Sequence, residues 1–381
     1  MKISTFEYLD QQWSHDLTTL TAMNTPNTLG LVFADNQLDG IPDILKTLFR
    51  SFPDVTFVGG SSAGEVLGSE VKDGSVVVAL LQLEKTRFEV AITNVDDYAD
   101  SYALGTSLSM QLTDKSSEEF PLKGVFVLSD GLNVNGTQLS KGLVEQAPNV
   151  LITGGLMGDG PRFETTHVLA NHKWRSGQVI AIGFYGDAFQ MGYGSQGGWD
   201  VFGPERLVTK SVENEVFEFD GTPALDLYKT YLGDLAEGLP STALLYPLSL
   251  VGDDGAFLVR TIVQIDEDKK SLIFAGDVPE GARVQLMKAN FDRLIDGAFS
   301  AAESVGWSES DEPVLSIAIS CVGRRLILKG RVEEEVEVVL EALPDNTQQI
   351  GFYSYGELSP LSNGRCSLHN QTMTLTTFRE V

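Results

Sequence analysis

One short phrase recurs three times along this chain and restricts what it can fold into. Phe57-Val-Gly-Gly-Ser-Ser-Ala-Gly-Glu-Val66, Ile152-Thr-Gly-Gly-Leu-Met-Gly-Asp-Gly160 and Gln349-Ile-Gly-Phe-Tyr-Ser-Tyr-Gly-Glu-Leu358 are apolar runs closed by glycine and an acid. Each follows a strand-like and then a helix-like run, and each leads through a loop to another β-rich run. The unit reads β-α-β-turn-β. Its helices can be checked by period: Ile41, Ile44, Leu45, Leu48 and Phe49 form one apolar stripe, and Val332, Val336, Val339, Leu340 and Leu343 form another. In the middle copy Leu139, Leu143, Val144 and Ala147 make a shorter stripe, capped by Asn135. A weaker fourth copy is expected over 215–274, with strands at 216–219 and 244–251, a helix at 223–232 and the turn Gly252-Asp253-Asp254-Gly255.

With 381 residues, the chain suits two domains of two modules each, 1–210 and 211–381. The predicted fold class is α/β (α+β), with mixed sheets covered by helices. Residues 1–25 read as a short terminal helix and 284–301 as a longer one. The charge, 27 − 53 = −26, argues against nucleic acid or an anionic membrane as a partner. No apolar run approaches the roughly 20 residues of a membrane span, and no run resembles a signal peptide. The expectation is a cytoplasmic protein without membrane insertion, its two cysteines, Cys321 and Cys366, buried rather than bridged or holding zinc.

Enzyme motifs fail on context. Gly60-Ser61-Ser62-Ala63-Gly64 matches the nucleophile elbow but leads to another strand instead of a helix, which leaves a serine hydrolase using Ser62 as the weaker alternative. No P-loop is present, and Gly154 to Gly160 opens no helix as a dinucleotide fingerprint would. His167 and His172, five apart on a predicted strand, point to opposite faces and share no metal. What remains is the set of glycine-acid turns, facing a shared cleft or simply closing hairpins. Ser62, Glu65, Gly155 and Asp159 are the candidate ligand-binding residues. Glu357 has Tyr353, Tyr355, His369 and Asn370 close by in sequence, which offers a mixed aromatic and polar lining.

With these residues in view, the chain resembles the FIST family of bacterial sensory proteins, built from an N-terminal and a C-terminal FIST domain. The resemblance rests on 57–65, Ser129-Asp-Gly131, Thr153-Gly-Gly155 with Asp159-Gly160, Gly197-Gly-Trp199 with Gly203-Pro204, and Gly221-Thr-Pro-Ala-Leu-Asp-Leu-Tyr228. It continues through Tyr246-Pro-Leu248, Val278-Pro-Glu-Gly281, 351–357 and Leu368-His-Asn-Gln-Thr372. It implies a small-molecule sensor acting on a separate signalling protein: in one version haem-based nitric-oxide sensing that regulates a histidine kinase, in the alternative sensing of an amino acid or other small metabolite. A subset of the family is similar to haem proteins that sense nitric oxide. In that version haem is the cofactor, and His369 is the iron ligand, with Tyr353 and Tyr355 against the porphyrin and Glu357 orienting the imidazole.

Overall fold

The computed structural model describes residues 1–251, 257–307 and 309–381. The expected turn at Gly252 to Gly255 lies outside the described residues. Three modules share one plan: a first strand, a helix, a middle strand, the glycine-acid turn, a short hairpin, a third strand and an outgoing strand. In module 1 the first, middle and third strands are Thr28–Asp35, Thr56–Ser62 and Val76–Gln82. They are Leu122–Ser129, Leu151–Leu156 and Gln178–Tyr185 in module 2, and Val314–Cys321, Thr347–Ser354 and Met373–Glu380 in module 3. First and middle strands pair in parallel, while first and third pair antiparallel.

The modules trade their hairpins in a ring. The turn throws the hairpin clear of its own sheet, so Glu65–Leu67 of module 1 pairs with the middle strand of module 3, Gly351 opposite Val66. Val168–Ala170 of module 2 pairs with module 1, Val168 opposite Gly60. Gly356–Pro360 of module 3 pairs with module 2, Glu357 opposite Gly155. Outgoing strands are passed on as well: Arg87–Asn94 closes the module 2 sheet and Phe189–Gln196 the module 3 sheet. Lys2–Leu9, at the other end of the chain, closes the module 1 sheet. The expected helix in 1–25 is therefore mostly this strand, followed by the 3-10 turn Leu17–Met23.

The three glycine-acid turns meet where the exchanges cross. Ala63 N–H donates to Tyr353 O at 2.9 Å, Gly158 N–H to Ser61 O at 3.2 Å and Tyr355 N–H to Leu156 O at 3.0 Å. These are equivalent atoms of the three modules, so the bonds close a pseudo-threefold cycle. The inner faces of the sheets share one core, including Phe33, Val58, Phe126, Ile180, Ile317 and Phe352. Helices cover the outer faces; Ile41–Ser51 buries Ile41, Ile44, Leu45 and Leu48, as the stripe requires.

The fourth copy is not a module. Its elements exist as Glu215–Phe219, Ala224–Leu232 and Leu248–Val251, but the two strands do not pair with each other. They belong to an eight-stranded antiparallel sheet running from Asp200–Val212 to Arg283–Lys288, with a core of its own. This sheet is inserted between modules 2 and 3. Residue 210 falls inside one of its strands, and the sheets combine strands from both sides of that position. The helix expected over 284–301 is split by Asn290, whose side chain accepts from Arg293 N–H and starts Phe291–Ser304 after the last insert strand. Among the described residues, no helix is long and apolar enough to cross a membrane.

Candidate functional site

The acids of the turns face inward. Glu65 is fully buried; its carboxyl accepts from Ser62 Oγ, and from Ser75 Oγ at 2.8 Å. Glu357 repeats this with Ser354 Oγ at 2.6 Å and Thr372 Oγ1 at 2.9 Å. Burial pushes both carboxyls up to about 8, against the lowering effect of their hydroxyl donors. In module 2 the start of the third strand is held instead by Asp130, at the end of the first strand, which accepts from Ser176 Oγ and Gly177 N–H as its module 1 counterpart Asp35 accepts from Gly74 N–H. Glu65 and Glu357 thus pin their turns to the start of the third strand.

A polar cleft of about 460 Å³ opens between module 2 and the insert. Its core side is the bend after Leu122–Ser129. Asp130 shapes that bend by accepting N–H bonds from Leu132 at 2.9 Å and Asn133 at 2.8 Å. Burial opposes the charge of Asp130, but its donors outweigh burial and hold its carboxyl below the ordinary carboxylate range. Asn135 then starts the helix Gly136–Gln146, accepting from Thr137 and Gln138 N–H, and spends its Nδ2 on Asp277 of the insert at 2.9 Å. Gln138 Nε2 donates to the other Asp277 oxygen at 2.7 Å. This bolt joins the two bodies at the back of the cleft.

The opposite wall carries Glu213 and Asn214, the tip of an insert hairpin. The end is closed by the stacked rings of Phe163 and Tyr355, 4.4 Å apart and 15° from parallel. The Tyr355 hydroxyl bonds the Asp159 carboxylate, which also accepts N–H bonds from Phe163, Glu164 and Thr165. Asp159 is held below its usual range by these donors in spite of burial. Asn133, Glu213 and Asn214 thus present carboxamide and carboxylate groups beside an aromatic end wall, while Asn135 is committed to its helix cap and to Asp277, an arrangement suited to a small polar molecule.

The FIST N domain matches residues 28–222 and the FIST C domain residues 224–360. The chain belongs to the FIST family. FIST domains form a family of sensory, small-ligand-binding domains. No curated protein matches the chain. Among solved structures it is similar to PurLQS from Thermotoga maritima at 10% identity, over 96% of this chain and 69% of that one; the TM-score of 0.18 carries no argument about fold. The junction of the two FIST models, near residue 223, falls at the start of the insert helix Ala224–Leu232, so the cleft takes walls from both FIST regions.

Of the residues expected to bind ligand or haem, two line clefts, and not the same one. Tyr355 lines the cleft just described, whereas His369 lines a second, about 420 Å³, on the other side of the insert. Tyr353 is sealed in the core with its hydroxyl on Glu335 at 2.9 Å, and Glu357, although opposite His369 in the strand ladder, turns its carboxyl to Ser354 and Thr372 rather than to the imidazole. The imidazole is oriented by the Ser359 carbonyl, 3.0 Å from Nε2. Asn370 is buried, and Gly155 packs against Ile319 and Phe352. The residues named for haem are therefore not assembled around one iron position, and the His369 cleft has no lysine or arginine in its described lining to meet propionates. Ser62 is 2% exposed and its hydroxyl is bonded to Glu65.

His167 and His172 do not share a strand. His167 precedes Val168–Ala170 and stacks on Trp174, and His172 sits in the following turn against Phe49. Sequence reasoning missed Asn133, Glu213, Asn214 and Phe163. The Asp130-Gly-Leu-Asn133 bend after an apolar strand was a usable signal; Phe163 had none, because only the fold brings it onto Tyr355.

Proposed function

We propose that this FIST protein senses a small polar metabolite of the amino-acid class held in the Tyr355 cleft, and relays its presence to a separate signalling protein such as a histidine kinase. The observation that supports this most is the cleft's position: a polar, aromatic-ended cavity of about 460 Å³ lies between two bodies with separate cores, bolted at one edge by Asp277. A ligand touching both walls stabilises the arrangement in which they are close, and its differential affinity is the signal. The exposed Asn133 amide has a second N–H beyond its bond to Asp130, which suits a carboxylate, and Glu213 opposite suits an ammonium group.

A melting screen of the intact protein against amino acids and related metabolites tests this, since a ligand that binds only the folded state raises its melting temperature. The stabilising compound is expected to lose its effect in Asn133→Leu and Glu213→Leu, both at exposed or half-buried positions, while the unliganded melting temperature stays close to wild type. A ligand shift that survives both substitutions removes the cleft from the reading. A haem Soret band that Tyr355→Ala abolishes replaces the metabolite by haem.

A further inference from the structure

The second cleft, beside His369, holds a polar group that the protein leaves open. His369 is 8% exposed, and its Nε2 faces the Ser359 carbonyl at 3.0 Å. A carbonyl only accepts, so Nε2 carries the proton. Burial, together with the charge of nearby Arg260, pushes the imidazole down to about 4, against the raising effect of the Ser359 bond. The ring is therefore neutral near pH 7 and Nδ1 carries a lone pair. No protein group among the described residues donates to it. An acceptor with a fixed direction thus lines a cavity without a partner.

The rest of the described lining contains no charged side chain. Trp199 has already given its N–H to Gln371 O at 2.9 Å, so its ring is held in place and offers only surface. Met287 and Leu361 add apolar area, and Phe257 stands at the rim 68% exposed, a large uncovered ring. A charged ligand would lose its hydration here and meet no charged side chain in the described lining, since Arg260 is committed to the carbonyls of Asp277, Val259 and Leu368. An uncharged ring would gain by apolar contact, and one N–H or O–H on it would find Nδ1.

We propose that the His369 cleft is a second binding site, separate from the Tyr355 cleft, for a small uncharged aromatic molecule bearing one hydroxyl or N–H donor, of the phenol or indole class. His369 supplies the acceptor, and Trp199, Met287 and Phe257 supply the apolar walls.

Calorimetric titration of the intact protein with phenol, indole, toluene, benzoate and haemin tests this. Phenol and indole are expected to bind at least about tenfold more tightly than toluene, which has no donor, and than benzoate, which carries charge. His369→Leu is expected to remove that advantage over toluene, and His369→Gln, which keeps an acceptor, to restore part of it. Phe257→Ala changes an exposed ring and leaves folding intact; it is expected to weaken phenol, indole and toluene together. Equal affinity for phenol and toluene overturns the proposal. So does phenol binding that ignores both His369→Leu and Phe257→Ala, failure of phenol and indole to bind, or a haemin Soret band lost in His369→Leu.

Discussion

Gly59, Gly154 and Gly351 occupy one equivalent position in the three modules, where a Cβ would lie 1.8, 1.9 and 2.0 Å from the carbonyl oxygens of Val32, Val127 and Ala318. The paired strand leaves no room for any side chain, so Gly59→Ala is expected to destabilise by about 3 kcal/mol or more, read as a lowered denaturant midpoint. By contrast, the turn glycines differ among themselves. Gly64 has φ of +133°, whereas a side chain at Gly158 would press on Ala63 and one at Gly356 on Leu368. Glu65 and Glu357 carry a pH signature. Each is raised to about 8 in the fold, so the folded state holds protons that the unfolded chain, near the ordinary carboxyl value, has released. Their contribution is complete at acid pH and declines as pH rises through neutrality toward 8. Glu65→Gln keeps the shape of the side chain and an acceptor for Ser75 but cannot ionise, and is expected to lessen the loss of melting temperature between about pH 6 and pH 9. If the wild type melts no lower at the upper pH, the buried acids are ionised throughout. The recurrence of glycine and acid was legible in the sequence; the direction in which each acid faces was not, because a turn has two sides and only the exchange of hairpins decides which is buried.

At the scale of elements, the insert is attached to the three-module body by two chain crossings, a small apolar cluster in which Met287 meets Leu294, Ile327 and Leu328, and a set of polar contacts. Asp277 is the busiest of these, meeting Asn135 and Gln138 through its carboxylate and Thr137 Oγ1 through its N–H. Arg260, buried in the insert, donates to the Leu368 carbonyl of module 3 at 3.1 Å. Asp277→Ala is expected to increase amide exchange in the insert while leaving the three sheets protected; uniform loss of protection would show that the two bodies open as one. Helix periodicity gave Ile41–Ser51 directly, because its buried face is local information. It failed where a strand and a helix adjoin at Asn290, although that residue is itself a cap signal. The cluster of basic and then acidic residues from Gly323 to Glu337 reads as a solvated helix start, yet within it Glu335 is fully buried in an ion pair with Arg324, whose Nε lies 2.5 Å away. Lys2–Leu9 was missed for a different reason. It buries only Phe6, and its place in the sheet depends on a partner some 70 positions along the chain.

For the molecule as a whole, three modules arranged in a ring put Met1 N 3.2 Å from Glu380 Oε2, so the last module hands its outgoing strand to the start of the chain. A circular permutant joining Val381 to Met1 by a short linker and opening between Glu118 and Glu119, in an exposed loop, restores the order that the other two modules already have. It is expected to melt close to the wild type; failure to fold would mean that the break at Met1 is required for assembly. Repetition of the module was readable from composition and period, but its number was not, since the insert contains a strand, helix and strand in the right order and differs only in how they pair. The exchange of hairpins also sets a timetable. Glu65–Leu67 leaves the ribosome early, yet its partner strand Thr347–Ser354 is made nearly 300 residues later, and until then its edge has nothing to pair with. A growing chain of this kind carries an open strand for most of its synthesis and completes the first module only when the last has emerged.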